Sequence, residues 1–193
     1  MKVFALMGSP RKGGNSDALM DAAMMGICDV RPDVLFHEVR VSDVGIEPCD
    51  GCGECCRNGK CHIKDKMQNI YKWLERVDIV LVATPIYFMG PPSTLKCMID
   101  RTFCIWSRKV LLKRKGKRKK RGTGALLASA GDKDRKMFRS VISNVKALFW
   151  TIGVRYSGQI LASGMDSYRS VKERPALLVK AKTLGKKLAL SVH

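Results

Sequence analysis

Five of the chain's eight cysteines fall between Cys49 and Cys61, in the run C-D-G-C-G-E-C-C-R-N-G-K-C. Taken as Cys49, Cys52, Cys55 and Cys61 they form C-x2-C-x2-C-x5-C, in which one turning loop can aim four thiolates at one small object. Gly51 and Gly53 relieve the backbone strain of such a turn. The chemistry this favours is an iron–sulfur cubane, and with it single-electron transfer. Structural zinc normally pairs two C-x2-C knuckles a dozen or more residues apart. Downstream there are only Cys97 and Cys104, in a segment that reads as helix. Disulfides would suit an extracellular chain, but Val3–Met7 is too short an apolar run for a signal peptide, so reduced thiols in the cytoplasm are expected. Redox-active or inert thiols are the remaining reading. Cys55 and Cys56 are adjacent, and Cys55 has the more regular spacing. His62, next to the last cysteine, reads as a solvated loop residue.

A second chemical signal is G-S-P-R-K-G-G-N-S, Gly8 to Ser16. Glycines, hydroxyls and two cations just ahead of a helix suit an anion, because the helix start offers unpaired N–H groups and a partial positive charge. The order is neither G-x4-G-K-[ST] nor G-x-G-x-x-G, which argues against triphosphate hydrolysis and weakens a dinucleotide reading. A third signal is T-P-I-Y-F at Thr84–Phe88, a proline with two aromatics that could wall a flat ring or simply fill a core.

The elements that must hold these groups alternate. Lys2–Met7 reads as a buried strand, followed by a helix capped by Asn15 or Ser16 with Leu19, Ala22, Ala23 and Gly26 at helical spacing. Val34–Val39 is a second strand, and the cysteine loop occupies residues 45–63. A helix begins at Asp65. Ile79–Ala83 is apolar throughout, as a central parallel strand should be. A helix over Ser93–Trp106, a strand over Gly124–Ala130, a helix through Met137–Ile152, a strand over Val154–Leu161 and a final helix complete the pattern. Five strands alternating with helices predict a doubly wound parallel α/β sheet in one domain spanning residues 1–193. Ligands of such sheets lie beyond the C-terminal strand ends, where the cysteine loop would open.

At 193 residues the chain can bury a full core without cross-links, and no apolar run approaches the ~18 residues of a membrane span. Thirty-six Lys and Arg against 17 Asp and Glu leave a net charge of +19. Ten of those bases lie in Arg108–Arg121, and the tract reads as a basic loop over residues 108–122. It holds no aromatic residue for base stacking, so a nucleic-acid-binding function is the weakest alternative. Steering of an acidic protein is a stronger one.

Three motifs in order resemble the flavodoxin-like iron–sulfur flavoproteins, within the wider NADPH-dependent FMN reductase superfamily. They are G-S-P-R-K-G-G-N-S, the C-x-G-C-x-x-C loop with G-K-C-x-I-K-D, and T-P-I-Y-F-x-G-P-P-S-T-L-K-C-M-I-D-R at Thr84–Arg101. The resemblance implies a flavodoxin-like fold of strand order 2-1-3-4-5 binding FMN. It implies that Ser9, Arg11, Asn15 and Ser16 hold the FMN phosphate. Pro85, Tyr87, Phe88, Met89 and Gly90 would lie along the isoalloxazine, and Ser129, Ala130 and Gly131 would close over it. Cys49, Cys52, Cys55 and Cys61 would hold a [4Fe-4S] cluster.

The implied function is electron transfer from a ferredoxin-like acidic donor through the cluster to FMN, and on to dioxygen, peroxide or a quinone. A homodimer or homotetramer, with no membrane partner, is expected. The alternative is a cluster-free NAD(P)H-dependent FMN or quinone reductase.

Overall fold

The computed structural model describes residues 1–114, 121–165 and 170–192. Five parallel strands, β1 (Lys2–Met7), β2 (Leu35–Arg40), β3 (Ile79–Pro85), β4 (Gly122–Ser129) and β5 (Val154–Ala162), form one sheet in the order β2-β1-β3-β4-β5. This is the flavodoxin-like order that the resemblance implies. The inner strands β3 and β4 are buried almost end to end, which explains their unbroken apolar runs.

Successive side chains of a strand point to opposite faces, and the core divides accordingly. Phe4, Leu6, Val80, Val82, Leu126 and Ala128 enter one layer with α3 (Met67–Leu74), α4 (Ser93–Arg101), α5 (Phe103–Val110) and α6 (Arg139–Thr151). Val3, Ala5, Ile79, Leu81, Ala125 and Leu127 enter the other with α1 (Asn15–Val30) and α7 (Pro175–Leu190). Each fully buried Leu, Ile or Phe contributes about 1.5–3 kcal/mol. Helices α1 and α7 press backbone to backbone. A Cβ at Gly26 would meet the Lys182 carbonyl oxygen at 1.9 Å, and one at Gly185 the Ala23 oxygen at 2.0 Å.

Five local expectations need correction. Gly14, with extended backbone, is the N-cap of α1 and no side chain caps it. The Asn15 side chain instead accepts from the Val171 N–H at 2.8 Å, and Ser16 Oγ lies 3.1 Å from Ser129 Oγ. The helix expected over Ser93–Trp106 is two helices, because Thr102 turns the chain with its hydroxyl donating to Ile99 O at 2.6 Å. The cysteine loop contains a short helix, α2 (Glu54–Asn58), bounded by left-handed Gly53 and Gly59. Asp65 precedes α3 and accepts from the Met67 N–H at 3.0 Å, so the helix starts at Met67. Within the basic tract, Arg108–Val110 belong to α5, and residues 115–120 lie outside the described residues.

Candidate cofactor and metal site

Beyond the C-terminal ends of β1, β3 and β4 lies a cleft of about 590 Å3. Its floor begins with the turn after β1. The Gly8 N–H donates to Ala83 O at 2.7 Å, and a Cβ on Gly8 would stand 2.6 Å from the Leu95 side chain, so only glycine lets the chain pass. The Ser9 hydroxyl then accepts from the Arg11 N–H at 3.1 Å, closing a tight turn whose Ser9 and Arg11 line the cleft.

This turn is clamped from below by Arg40 and Asp17, which no motif marks. Arg40, at the end of β2, donates to Ser9 O at 2.7 Å and Arg11 O at 3.0 Å, and pairs with Asp17 at 2.8 Å in a largely buried contact. Asp17 also accepts from the Gly13 N–H at 2.8 Å. Carbonyl oxygens are thereby drawn down onto a guanidinium, and the opposite face of the loop joins the α1 N-terminus at the cleft. Such a terminus favours an anion.

Of the expected cofactor-binding residues, Ser9, Arg11, Asn15, Ser16, Pro85, Tyr87, Ser129 and Gly131 line the cleft. Ala130 is buried behind it, its N–H donating to Ala162 O and its carbonyl accepting from Met165, each within 2.9 Å. Tyr87 and Gly90 exchange two backbone hydrogen bonds of 2.9 Å around a tight turn. At its tip Phe88 and Met89 have φ of +45° and +62°, and both side chains are exposed and outside the cleft lining. Left-handed backbone at two adjacent non-glycine residues costs roughly 1–3 kcal/mol each. Met165, Ser170 and Glu173, from beyond β5, complete the lining, and nothing in their sequence pattern marked them.

The cysteine loop follows β2 and packs on α4 and α5. Cys49 and Cys52 are exposed, while Cys55 and Cys61 are half-buried and packed on the core. Gly51 and Gly53, with φ of +73° and +71°, make the turns that a side chain would strain. Ser107 of α5 sits between the doubled cysteines, its Oγ 3.9 Å from Cys55 Sγ and 4.0 Å from Cys56 Sγ. Burial pushes the Cys55 thiol up, an effect Ser107 partly opposes. The loop is rooted by Arg101, which is 1% exposed and grips Asp65 at 2.7 Å and Glu47 O at 2.6 Å.

Among the described residues, the four chosen cysteines are not drawn into one tight group. The donors that do converge there are Asp50, Cys52 and His62, within 4.8 Å of one another. His62 is the exposed loop residue expected, and its Nε2 lies 2.7 Å from Asp50 Oδ2.

The sequence profile of the NADPH-dependent FMN reductase family matches residues 1–166. An iron–sulfur flavoprotein of Archaeoglobus fulgidus is 35% identical over 101 residues, 52% of this chain and 45% of that protein. One of Methanosarcina thermophila is 34% identical over 136 residues, 69% of this chain and 65% of that protein. The chain therefore spans between 45% and 65% of the length of these two curated relatives. An FMN-dependent NADH-azoreductase from Bacillus anthracis, solved in complex with FMN, superposes with a TM-score of 0.73 at 13% identity, covering 98% of this chain and 100% of that one. At that identity the likeness concerns the fold. No helix among the described residues is long and apolar enough to cross a membrane.

Proposed function

This chain belongs to the NADPH-dependent FMN reductase family, and from that premise we propose that it is an iron–sulfur flavoprotein, relaying single electrons between a [4Fe-4S] cluster on the cysteine loop and FMN in the cleft. The observation that carries this reading is a cleft lined by the segments that follow β1, β3 and β4, with an anion-suited turn in its wall, in a chain whose four-cysteine loop follows β2.

The residues present fit both groups. Ser9, Arg11 and the uncapped start of α1 would take the FMN phosphate, with Ser16 and Ser129 beside them. Pro85 and Tyr87 would flank the isoalloxazine, and Gly131 would border it. Phe88, Met89 and Gly90 belong to the turn next to that wall, and Ala130 backs it. Cys49, Cys52, Cys55 and Cys61 supply an all-thiolate set on a loop whose left-handed glycines let it curl. When bound, FMN would supply one- or two-electron chemistry and the cluster one-electron chemistry. Thiolate ligation would require each cysteine to give up its proton, and partial burial raises that cost at Cys55. Asn15 ties the start of α1 to the segment after β5, holding that wall of the cleft against solvent.

An acidic, ferredoxin-like donor suits the surroundings of the loop. Arg114 donates to Asn58 O at 3.0 Å and the Arg108 side chain packs on Gly59, so two bases of the tract border α2. Dioxygen, peroxide or a quinone is the acceptor class, and a homodimer or homotetramer the assembly. Anaerobic reconstitution tests the reading, with about four irons, four sulfides and one FMN per chain expected. Reduction by an acidic donor should also slow as salt rises. Iron-free protein that reduces quinones with NAD(P)H would support the cluster-free alternative instead.

A further inference from the structure

The Asp50–Cys52–His62 group is not explained by an all-cysteine cluster. It joins the two ends of the loop, since Asp50 and Cys52 sit at its start and His62 follows its last cysteine. Asp50 is aimed locally: the Cys52 N–H donates to Asp50 Oδ1 at 3.1 Å across the left-handed turn at Gly51, while Oδ2 faces His62 Nε2 at 2.7 Å. All three residues are exposed, so an ion can reach them from solvent without movement of the core.

We propose that Asp50, Cys52 and His62 form a site for one borderline divalent cation of the zinc type, and that occupation of this site excludes the cluster because both need Cys52. A thiolate, an imidazole and a carboxylate are the three donor types zinc accepts, at about 2.3, 2.0 and 2.1 Å. On one tetrahedral ion such donors stand roughly 3.3–3.7 Å apart. A group already within 4.8 Å reaches that spacing by side-chain rotation, with the His62–Asp50 contact opening slightly. The fourth position is left to water. Magnesium and calcium prefer oxygen ligands throughout and suit the set poorly. On binding, Cys52 releases its thiol proton to solvent, and His62 coordinates through Nε2 with its proton on Nδ1. The exclusion rests on the cluster reading given above, whereas the cation site does not.

The test uses the full chain, stripped of iron by an anaerobic chelator and titrated with zinc and, as a spectroscopic probe, cobalt(II). One ion per chain is expected, with a thiolate-to-cobalt charge-transfer band of single-thiolate intensity. Asp50→Asn and His62→Ala should each weaken binding by tenfold or more, with folding checked by circular dichroism. Unaltered titration of both variants, a band of several thiolates, or no binding by the wild type would overturn the site. Zinc added first should slow iron and sulfide uptake in the wild type and do so far less in His62→Ala; equal slowing in both would overturn the exclusion. A wild-type chain that takes up no iron or sulfide without zinc would instead sink the cluster reading, and the titration would still decide the cation site.

Discussion

Arg101 Nη1 stands 2.7 Å from Asp65 Oδ2, and through this contact the two ends of the cysteine loop are fastened to α4. The same guanidinium donates to Glu47 O at 2.6 Å, and Asp65 accepts from the Glu47 N–H at 2.9 Å. Glu47 lies two residues before Cys49 and Asp65 four after Cys61, so one buried pair sets the span the loop must bridge.

Arg101→Met should therefore destabilise the protein by about 3–5 kcal/mol, because it strands a buried carboxylate. Urea unfolding measures this, and replacing both Arg101 and Asp65 with apolar residues should cost less than Arg101→Met alone. A loss below about 1 kcal/mol would show that the pair is not an anchor.

The same pair predicts an acid-sensitive stability. Burial alone would raise the Asp65 carboxyl, but Arg101 and the Glu47 N–H outweigh it and hold it below the usual carboxylate range. A depressed folded value gives stability that is complete above the unfolded value of about 3.9 and is lost as pH falls through the folded one. The advantage of wild type over Asp65→Asn in unfolding free energy should shrink on acidification below about pH 4. A pH-independent difference would contradict the assignment.

Arg40 touches no expected ligand atom, yet it holds the carbonyls of Ser9 and Arg11 away from the cleft. Arg40→Met should raise the FMN dissociation constant by roughly tenfold, the ~1.4 kcal/mol equivalent of a lost charged hydrogen bond. Fluorescence quenching of free FMN reads this directly, and unchanged affinity would show the loop to be self-supporting.

The turn at Phe88–Met89 stores backbone strain at the edge of the cleft. Met89→Gly should stabilise the protein by up to about 1 kcal/mol, since glycine accepts φ of +62° without a Cβ penalty. Thermal unfolding checks the sign; destabilisation would mean that the exposed Met89 side chain makes a contact worth more than the strain.

Much of the sheet is legible in the chain. Ile79–Ala83 declares a doubly buried strand by composition alone, and the alternation of such runs with helical periods leads to a parallel sheet of five strands, whereas their order followed from the family resemblance. Boundaries were less legible where a single side chain competes with the backbone, as Thr102 does in splitting α4 from α5. The cap of α1 was misplaced because Asn15 and Ser16 make bonds to residues beyond the helix, with Val171 and Ser129. No local pattern could announce partners more than a hundred positions away.

By itself the sequence determined which chemistry is available: thiols concentrated in one loop, hydroxyls and cations ahead of one helix, and an aromatic pair after one strand. Those are matters of residue type and short spacing, which composition and periodicity carry. Only the tertiary structure decided what holds those groups in place. The Arg40 grip on the Ser9 turn, the Arg101–Asp65 root of the loop and the position of Ser107 between Cys55 and Cys56 are each made by residues more than twenty positions apart. Each forms because packing brings segments far apart in the chain together, and there a buried charge or hydroxyl takes the partner that the fold supplies.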